Sequence, residues 1–140
     1  MGADPQQTLQ AFREAEAYDG PSLILAYSHC IEQGIDMRTG LDQQYRAVAS
    51  GHWPLVRYDP MVRTDGGNPF RLDSPRPRIP LEEYRFKELR YRTLLKADPS
   101  EADRLLGLAQ HAVEQRWEVY EEMATQDPHR FPDDTTRKDS

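Results

Sequence analysis

Pro21-Ser22-Leu23-Ile24-Leu25-Ala26-Tyr27-Ser28-His29-Cys30 is the stretch on which the reading of this chain turns. It opens at a Gly20-Pro21 turn signal and continues as an apolar run too short for a typical helix. That pattern predicts a strand buried on both faces of a sheet. The run closes on a polar tripeptide carrying the one cysteine of the chain. In open parallel sheets, ligands lie beyond the carboxyl ends of the strands. A strand over 23–27 therefore places Cys30 where such a sheet presents its chemistry. A lone thiolate cannot hold a metal or cluster by itself, so any further ligands come from outside this chain.

Working outward, Asp4-Pro5-Gln6-Gln7 predicts a helix start: Asp4 as N-cap, Pro5 at the first helical position, Gln7 closing a capping box. Leu9, Phe12 and Ala15 follow at helical spacing, and Gly20-Pro21 ends the helix. A helix leading into an apolar strand is half of a βαβ unit, so a preceding parallel strand is expected. Only Met1-Gly2-Ala3 precede the helix, and the expectation is of a fold that begins mid-unit.

Downstream of Cys30 lies a glycine-containing loop. Thr39 is placed to cap a second helix with Leu41, Gln44, Tyr45 and Val48 on its inner face and Gly51 as its stop. Residues 54–58 predict a short strand, at an edge because of Pro54. Asp65-Gly66-Gly67-Asn68-Pro69 is a turn, and Phe70-Arg71-Leu72 alternates as a short strand does. Ser74-Pro75-Arg76-Pro77-Arg78-Ile79-Pro80, with three prolines, predicts an extended linker. Two helices are expected beyond it. One covers 81–96. The other starts at Asp98-Pro99, with Glu101 completing a capping box, and its stripe is Ala102, Leu105, Leu106, Ala109, Val113, Trp117, Tyr120 and Ala124. From residue 126 the chain is polar and is expected to be disordered.

Composition narrows the function classes. The 140 residues carry a formal net charge of −6, which argues against a nucleic-acid binder. No segment approaches transmembrane length, and no secretory signal pattern opens the chain, so a soluble, cytoplasmic protein without membrane partners is expected. One cysteine and four histidines make no closed zinc site, and no pair of histidines has HxxxH spacing. A glycine-rich phosphate loop and a GxSxG motif are both lacking. Cys30 and His29 make a poor nucleophile pair, because neighbours on an extended segment point to opposite sides. From the residues alone the favoured reading of Cys30 is a small buried hydrophobe, and that of His29 a solvent-facing loop residue rather than a group that tunes the thiol or caps the strand end. Trp53-Pro54 and Tyr58-Asp59-Pro60 are read as packing and turn formers, and the Trp117 stripe as docking on its own domain or on a partner.

Several segments together carry a resemblance. Gly20 to Ile31, Gly51-His52-Trp53-Pro54-Leu55 with Arg57-Tyr58, and Asn68-Pro69-Phe70-Arg71-Leu72-Asp73-Ser74 look like the C-terminal end of pyruvate:ferredoxin (flavodoxin) oxidoreductases, in that family's order and at about its spacing. Gln6-Gln7-Thr8-Leu9 and Glu14-Ala15-Glu16-Ala17-Tyr18 are similar to the helix before the strand. The resemblance runs from Met1 to about Ala124. It implies an α/β fold: residues 1–73 as the end of a thiamine-diphosphate-binding parallel-sheet domain, 74–80 as a proline-rich linker, 81–125 as a helical tail and 126–140 as a disordered end. It implies oxidative decarboxylation of pyruvate to acetyl-CoA with electrons passing through 4Fe-4S clusters to ferredoxin or flavodoxin. It also implies thiamine diphosphate with Mg2+ in the full-length enzyme, and the rest of the oxidoreductase and its homodimer mate as partners. On this resemblance Cys30 matches the last cysteine ligand of the cluster nearest the thiamine, since such clusters are held by thiolates. The three companion cysteines have no counterpart here, and no thiamine or magnesium ligand carries over. The isolated chain is therefore expected to be inactive. The alternative is a non-catalytic module acting through its helical tail as a protein-interaction segment.

Overall fold

Residues 2–127 are described in the computed structural model of the chain. Helix α1 (Pro5–Ala17) begins as its sequence requires: Asp4 Oδ1 accepts from the backbone N–H groups of Gln6 and Gln7 at 3.0 and 2.9 Å. The Gln7 side chain does not close the capping box; its amide donates to Asp73 at 3.1 Å. Two single 3₁₀ turns, Ile31–Gln33 and Met37–Thr39, lead into α2 (Gly40–Ala49). The Thr39 hydroxyl donates back to the Asp36 carbonyl and makes no cap bond to α2. Gly51, at φ +73°, ends the turn that follows, a left-handed conformation that favours glycine.

Strand β1 (Val56–Tyr58), the helical turn α3 (Met61–Thr64) and β2 (Phe70–Leu72) come next. The strands pair antiparallel, with Val56 opposite Leu72 and Tyr58 opposite Phe70. The chain then crosses residues 74–80 without regular secondary structure, tied down where Leu55 N–H donates to Ser74 Oγ and Arg78 N–H donates to the Ala49 carbonyl. Helices α4 (Leu81–Arg85), α5 (Leu89–Ala97) and α6 (Pro99–Thr125) complete the described chain.

Mixed helix and sheet is thus the architecture, but the details differ from the expected parallel-sheet domain. Among the described residues the only sheet is the β1–β2 pair. Residues 21–30 form no strand, and Leu23 and Leu25 are 83% and 74% exposed. A strand is completed by a neighbour, and no described segment lies alongside to pair with this one.

The helix expected over 81–96 is broken at 86–88. Glu88 takes an extended backbone (φ −98°, ψ 133°), and its carboxylate is fully buried. The buried face of α2 is also rotated from the expected one: Gly40, Gln43, Ala47 and Ala49 are buried, whereas Leu41 and Tyr45 stand exposed. Gln43 is inside because its amide donates to the Tyr84 carbonyl and to Glu88, at 3.2 and 3.1 Å.

The core is built by Ala47, Leu81, Tyr84 and Val113, with Tyr27, Trp53, Leu106 and Ala109 packed against it. α6 supplies Ala102, Val113 and Trp117 as buried residues of the expected stripe. It also reaches the sheet, where Tyr120 packs on Phe70 and Met123 accepts from Asn68. The disordered end expected from residue 126 lies outside the described residues from 128 onward.

Candidate functional site

Cys30 sits on extended backbone (φ −130°, ψ 137°) immediately before the turn Ile31–Gln33, with its thiol free and exposed. It is therefore not the buried hydrophobe that its residue type most often is. His29 is not a solvent-facing loop residue either. Its Nδ1 lies 3.1 Å from the Gln44 amide nitrogen. Its ring also lies so close to Gly40 that a Cβ there would stand 2.5 Å from Nε2. Gly40 is thus the residue that lets this ring approach α2.

Three residues upstream, Tyr27 enters an aromatic cluster. It stacks on Trp53 with centroids 5.1 Å apart, meets His52 edge-on at 5.7 Å, and shares a short hydroxyl–hydroxyl hydrogen bond with Tyr84. His52 in turn stacks on Tyr84 at 4.5 Å. Such ring pairs contribute about 0.5–1.5 kcal/mol each beyond their area burial. Trp53 therefore does the packing expected of it. The floor of the cluster is polar: Glu88 accepts from Gln43 and from Arg90 Nε, the latter at 2.6 Å. Arg116 of α6 closes the side by donating to the carbonyls of Gly51 and His52 at 2.9 and 2.7 Å.

Electrostatics keep this cluster neutral where it can be. Burial, and then the positive charges of Arg85, Arg116 and Arg90, push His52 down to about 4. It is a neutral imidazole at physiological pH. Burial, then the bond to Tyr27, pushes the Tyr84 hydroxyl far above its ordinary value. No nucleophile is paired with a base here, so the cluster has the make-up of a structural clamp rather than an acid–base centre.

A second clamp secures α1. Arg57 grips Asp73 with two bonds, at 2.7 and 2.8 Å, and also pairs with Glu14. Burial raises Asp73, but the bonds from Arg57 and Gln7 and the charges of Arg57 and Arg71 outweigh it, and the carboxyl is held below its usual value. Between the two clamps lies a cavity of about 680 Å³, bordered by Phe12, Leu23, Leu25, Val48, Trp53 and Leu55 among others.

Among the described residues, no three or more His, Cys, Asp or Glu gather into a group that could hold a metal ion. The donor set suited to an iron–sulfur cluster is a set of cysteine thiolates, and among the described residues Cys30 is the one cysteine. The described residues do not by themselves form a cluster site; what they show is one exposed thiol carried between two anchored segments. The anchoring by Tyr84, Glu88 and Gln43 was not legible in the sequence, where Tyr84 lies 57 residues from Tyr27. The glycine at 40 and the His52-Trp53 pair were the only local traces of it. No described helix is long and apolar enough to cross a membrane.

No family model matches the chain. Curated proteins do. The chain is 47% identical over 125 residues to a pyruvate-flavodoxin oxidoreductase of Nostoc sp., which covers 89% of this chain and 10% of that protein. It is 41% identical over 124 residues to a pyruvate:ferredoxin oxidoreductase of Moorella thermoacetica, with 89% and 11% covered. It is 43% identical over 119 residues to a mitochondrial NADP+-dependent pyruvate dehydrogenase of Euglena gracilis, with 84% and 7% covered. The chain spans about a tenth of the length of the curated relatives it matches.

Proposed function

Because the chain is a relative of pyruvate-flavodoxin and pyruvate:ferredoxin oxidoreductases over nine-tenths of its own length, we propose that it does the work of the matching, C-terminal segment of such an enzyme. The reaction is oxidative decarboxylation of pyruvate to acetyl-CoA, with ferredoxin or flavodoxin as the electron acceptor. Thiamine diphosphate and Mg2+ are held by polypeptide outside this chain. Cys30 supplies one thiolate to a 4Fe-4S cluster whose other ligands are also outside it. Such a cluster, when bound, provides one-electron transfer chemistry. The observation that carries the reading is the 47% identity over 125 residues. The exposed Cys30 thiol is compatible with it, as a ligand completed by another segment must be reachable.

This chain's own residues serve to place that thiolate. Tyr27 and His29 fix the backbone on the side leading into Cys30, and the turn Ile31–Gln33, where Gln33 N–H donates to the Cys30 carbonyl at 3.1 Å, fixes the far side. Residues 81–125 act as a brace: Tyr84 and Glu88 hold the cluster that grips Tyr27. The isolated chain has no catalytic residue of its own and is inactive in pyruvate oxidation.

The test is a chimera in which this chain replaces the matching segment of the Moorella thermoacetica enzyme. The chimera is expected to reduce a low-potential dye in the presence of pyruvate and coenzyme A. Cys30→Ala in that chimera is expected to lower iron content, alter the EPR spectrum of the reduced protein and abolish dye reduction. Full iron occupancy with normal dye reduction in the alanine variant would overturn the ligand assignment.

A further inference from the structure

No proline or glycine lies between Leu81 and Ala97, yet the helix is interrupted between α4 and α5. The interruption changes which backbone groups are free. In an unbroken helix the Leu89 N–H would donate to the Arg85 carbonyl, four residues back. Here that carbonyl accepts from the Glu88 N–H instead, at 3.0 Å, and Leu89 opens a new helix. The N–H groups of a first helical turn have no partner within their own helix. The Leu89 N–H finds one far away in sequence, donating to the Gly34 carbonyl at 3.1 Å.

Gly34 is suited to that contact. It lies at φ +72°, and a Cβ on it would collide with the Leu89 side chain. It also closes the turn after Cys30: its N–H donates to the Ile31 carbonyl at 2.8 Å, beside the bond from Gln33 N–H to the Cys30 carbonyl. On the other side of Cys30, the Tyr84 hydroxyl of α4 shares its hydrogen bond with Tyr27. Tyr84 and Leu89 thus hold the chain on both sides of Cys30, at Tyr27 before it and at Gly34 after it. An unbroken helix could make the first contact but not the second, because its Leu89 N–H would already be in use.

Glu88 is what keeps the helix broken. Its side chain is fully buried, with Oε1 accepting from the Gln43 amide and Oε2 from Arg90 Nε. A carboxylate is costly to bury unless its oxygens are satisfied. α2 and α5 supply the two donors, and the extended backbone at Glu88 is the conformation that reaches them. We infer that residues 84–89 form a two-armed clasp that fixes the Cys30 loop from both sides, with Glu88 as its positioning residue. One arm is the Tyr84 hydroxyl and the other is the Leu89 N–H freed by the break. The consequence for a cluster bound at Cys30 rests on the function proposed above; the clasp rests on the geometry alone.

Leu89→Pro tests the second arm. Proline lacks the N–H, suits a first helical position, and requires an extended residue before it, which Glu88 already is. The change therefore deletes one donor and leaves the break in place. Hydrogen exchange of the 140-residue chain, read by mass spectrometry, gives the outcome. The amides of residues 31–36 should exchange roughly three- to tenfold faster, as for loss of one hydrogen bond, while those of α6 stay protected. Unchanged exchange at 31–36 would overturn the clasp. Glu88→Ala should speed the same amides, and Glu88→Gln, which keeps one acceptor oxygen, should speed them less. Rates equal to those of the unaltered chain in both Glu88 variants would overturn the role of Glu88. Loss of α6 protection in Leu89→Pro or Glu88→Gln would mean a role in global stability and overturn the local one.

The Moorella chimera reads the consequence for the cluster. Leu89→Pro there should release iron to a chelator at least roughly tenfold faster, as loss of a contact that orients a ligand does. Unchanged iron release would overturn the link from clasp to cluster. The functional reading fails separately. A folded chimera that binds no iron would sink that reading alone, whereas an iron-loaded chimera beside unchanged exchange at 31–36 would sink the clasp alone.

Discussion

Helix α6 and residues 21–30 are the two most clearly patterned stretches of the chain, and they end in opposite conditions. α6 is capped by Asp98, whose carboxylate accepts from Glu101 N–H at 3.0 Å, has Pro99 at its first position, and buries Ala102, Val113 and Trp117. Residues 21–30 contain the most exposed apolar side chains of the described protein, Leu23 and Leu25. The difference is one of where hydrogen bonds are closed. A helix satisfies its backbone within itself and needs a neighbour only for its stripe. A strand needs a neighbour for the backbone as well, so an apolar strand sequence without that neighbour remains an open edge.

Four changes would break or sharpen this contrast. The largest effect is expected in the well-packed region. Trp117→Ala removes a side chain only 5% exposed and should cost about 3–5 kcal/mol by denaturant titration, the range for large-to-small aromatic truncation in a core. A loss under 1 kcal/mol would show that α6 is not docked as described.

The second expectation concerns pH and the clamp that joins the two regions. His52 is neutral in the fold down to about pH 4, whereas the unfolded chain takes up the proton near the ordinary value of 6.5. The unfolded state therefore binds more protons between these values, and stability should fall as pH drops from 6.5 to about 4, then cease to respond to this group. At roughly 1.4 kcal/mol per unit the upper bound is about 3.5 kcal/mol, lowered by the solvent that still reaches the ring. His52→Phe keeps a ring beside Tyr84 and should flatten that part of the profile; an unchanged slope would place the responsible group elsewhere.

Next comes the α6 cap. Asp98→Ala should cost about 1 kcal/mol, as loss of an N-cap side chain does, seen as a lower denaturation midpoint with an unchanged slope. The smallest effect belongs to the open edge: Leu23→Ser should change the stability of the isolated chain by less than about 0.5 kcal/mol. Equal costs for Leu23→Ser and Trp117→Ala would erase the contrast altogether.

The local signals were readable before the fold was known. The Asp4-Pro5 and Asp98-Pro99 starts, the Gly51 stop, the turn before Phe70 and the stripe of α6 all follow from short-range chemistry. Both capping boxes were half right. Gln7 and Glu101 stand at the right positions, yet their side chains bond elsewhere: Gln7 to the distant Asp73, and Glu101 to Arg104 one turn further along the same helix. The inner face of α2 was misread for a similar reason. Leu41 and Tyr45 have the periodicity of a buried stripe, but the face that meets His29, Tyr84 and Glu88 must be small or able to donate, as Gly40 is beneath His29 and Ala47 and Gln43 are beside Tyr84 and Glu88. The break in the helix expected over 81–96 has no proline or glycine to announce it and exists because Glu88 turns inward.

The sequence by itself determined the helix boundaries that caps and glycines encode, the likeness to pyruvate-flavodoxin oxidoreductases, and the standing of Cys30 as the one cysteine. Each of these depends on residues near in sequence or on their order along the chain. Only the tertiary structure decided that Tyr27 is gripped by Tyr84 and that His29 rests on Gly40 while the apolar run between Ser22 and Tyr27 is left unpaired. These outcomes depend on which distant groups come within hydrogen-bonding and van der Waals reach, distances that a linear pattern does not contain.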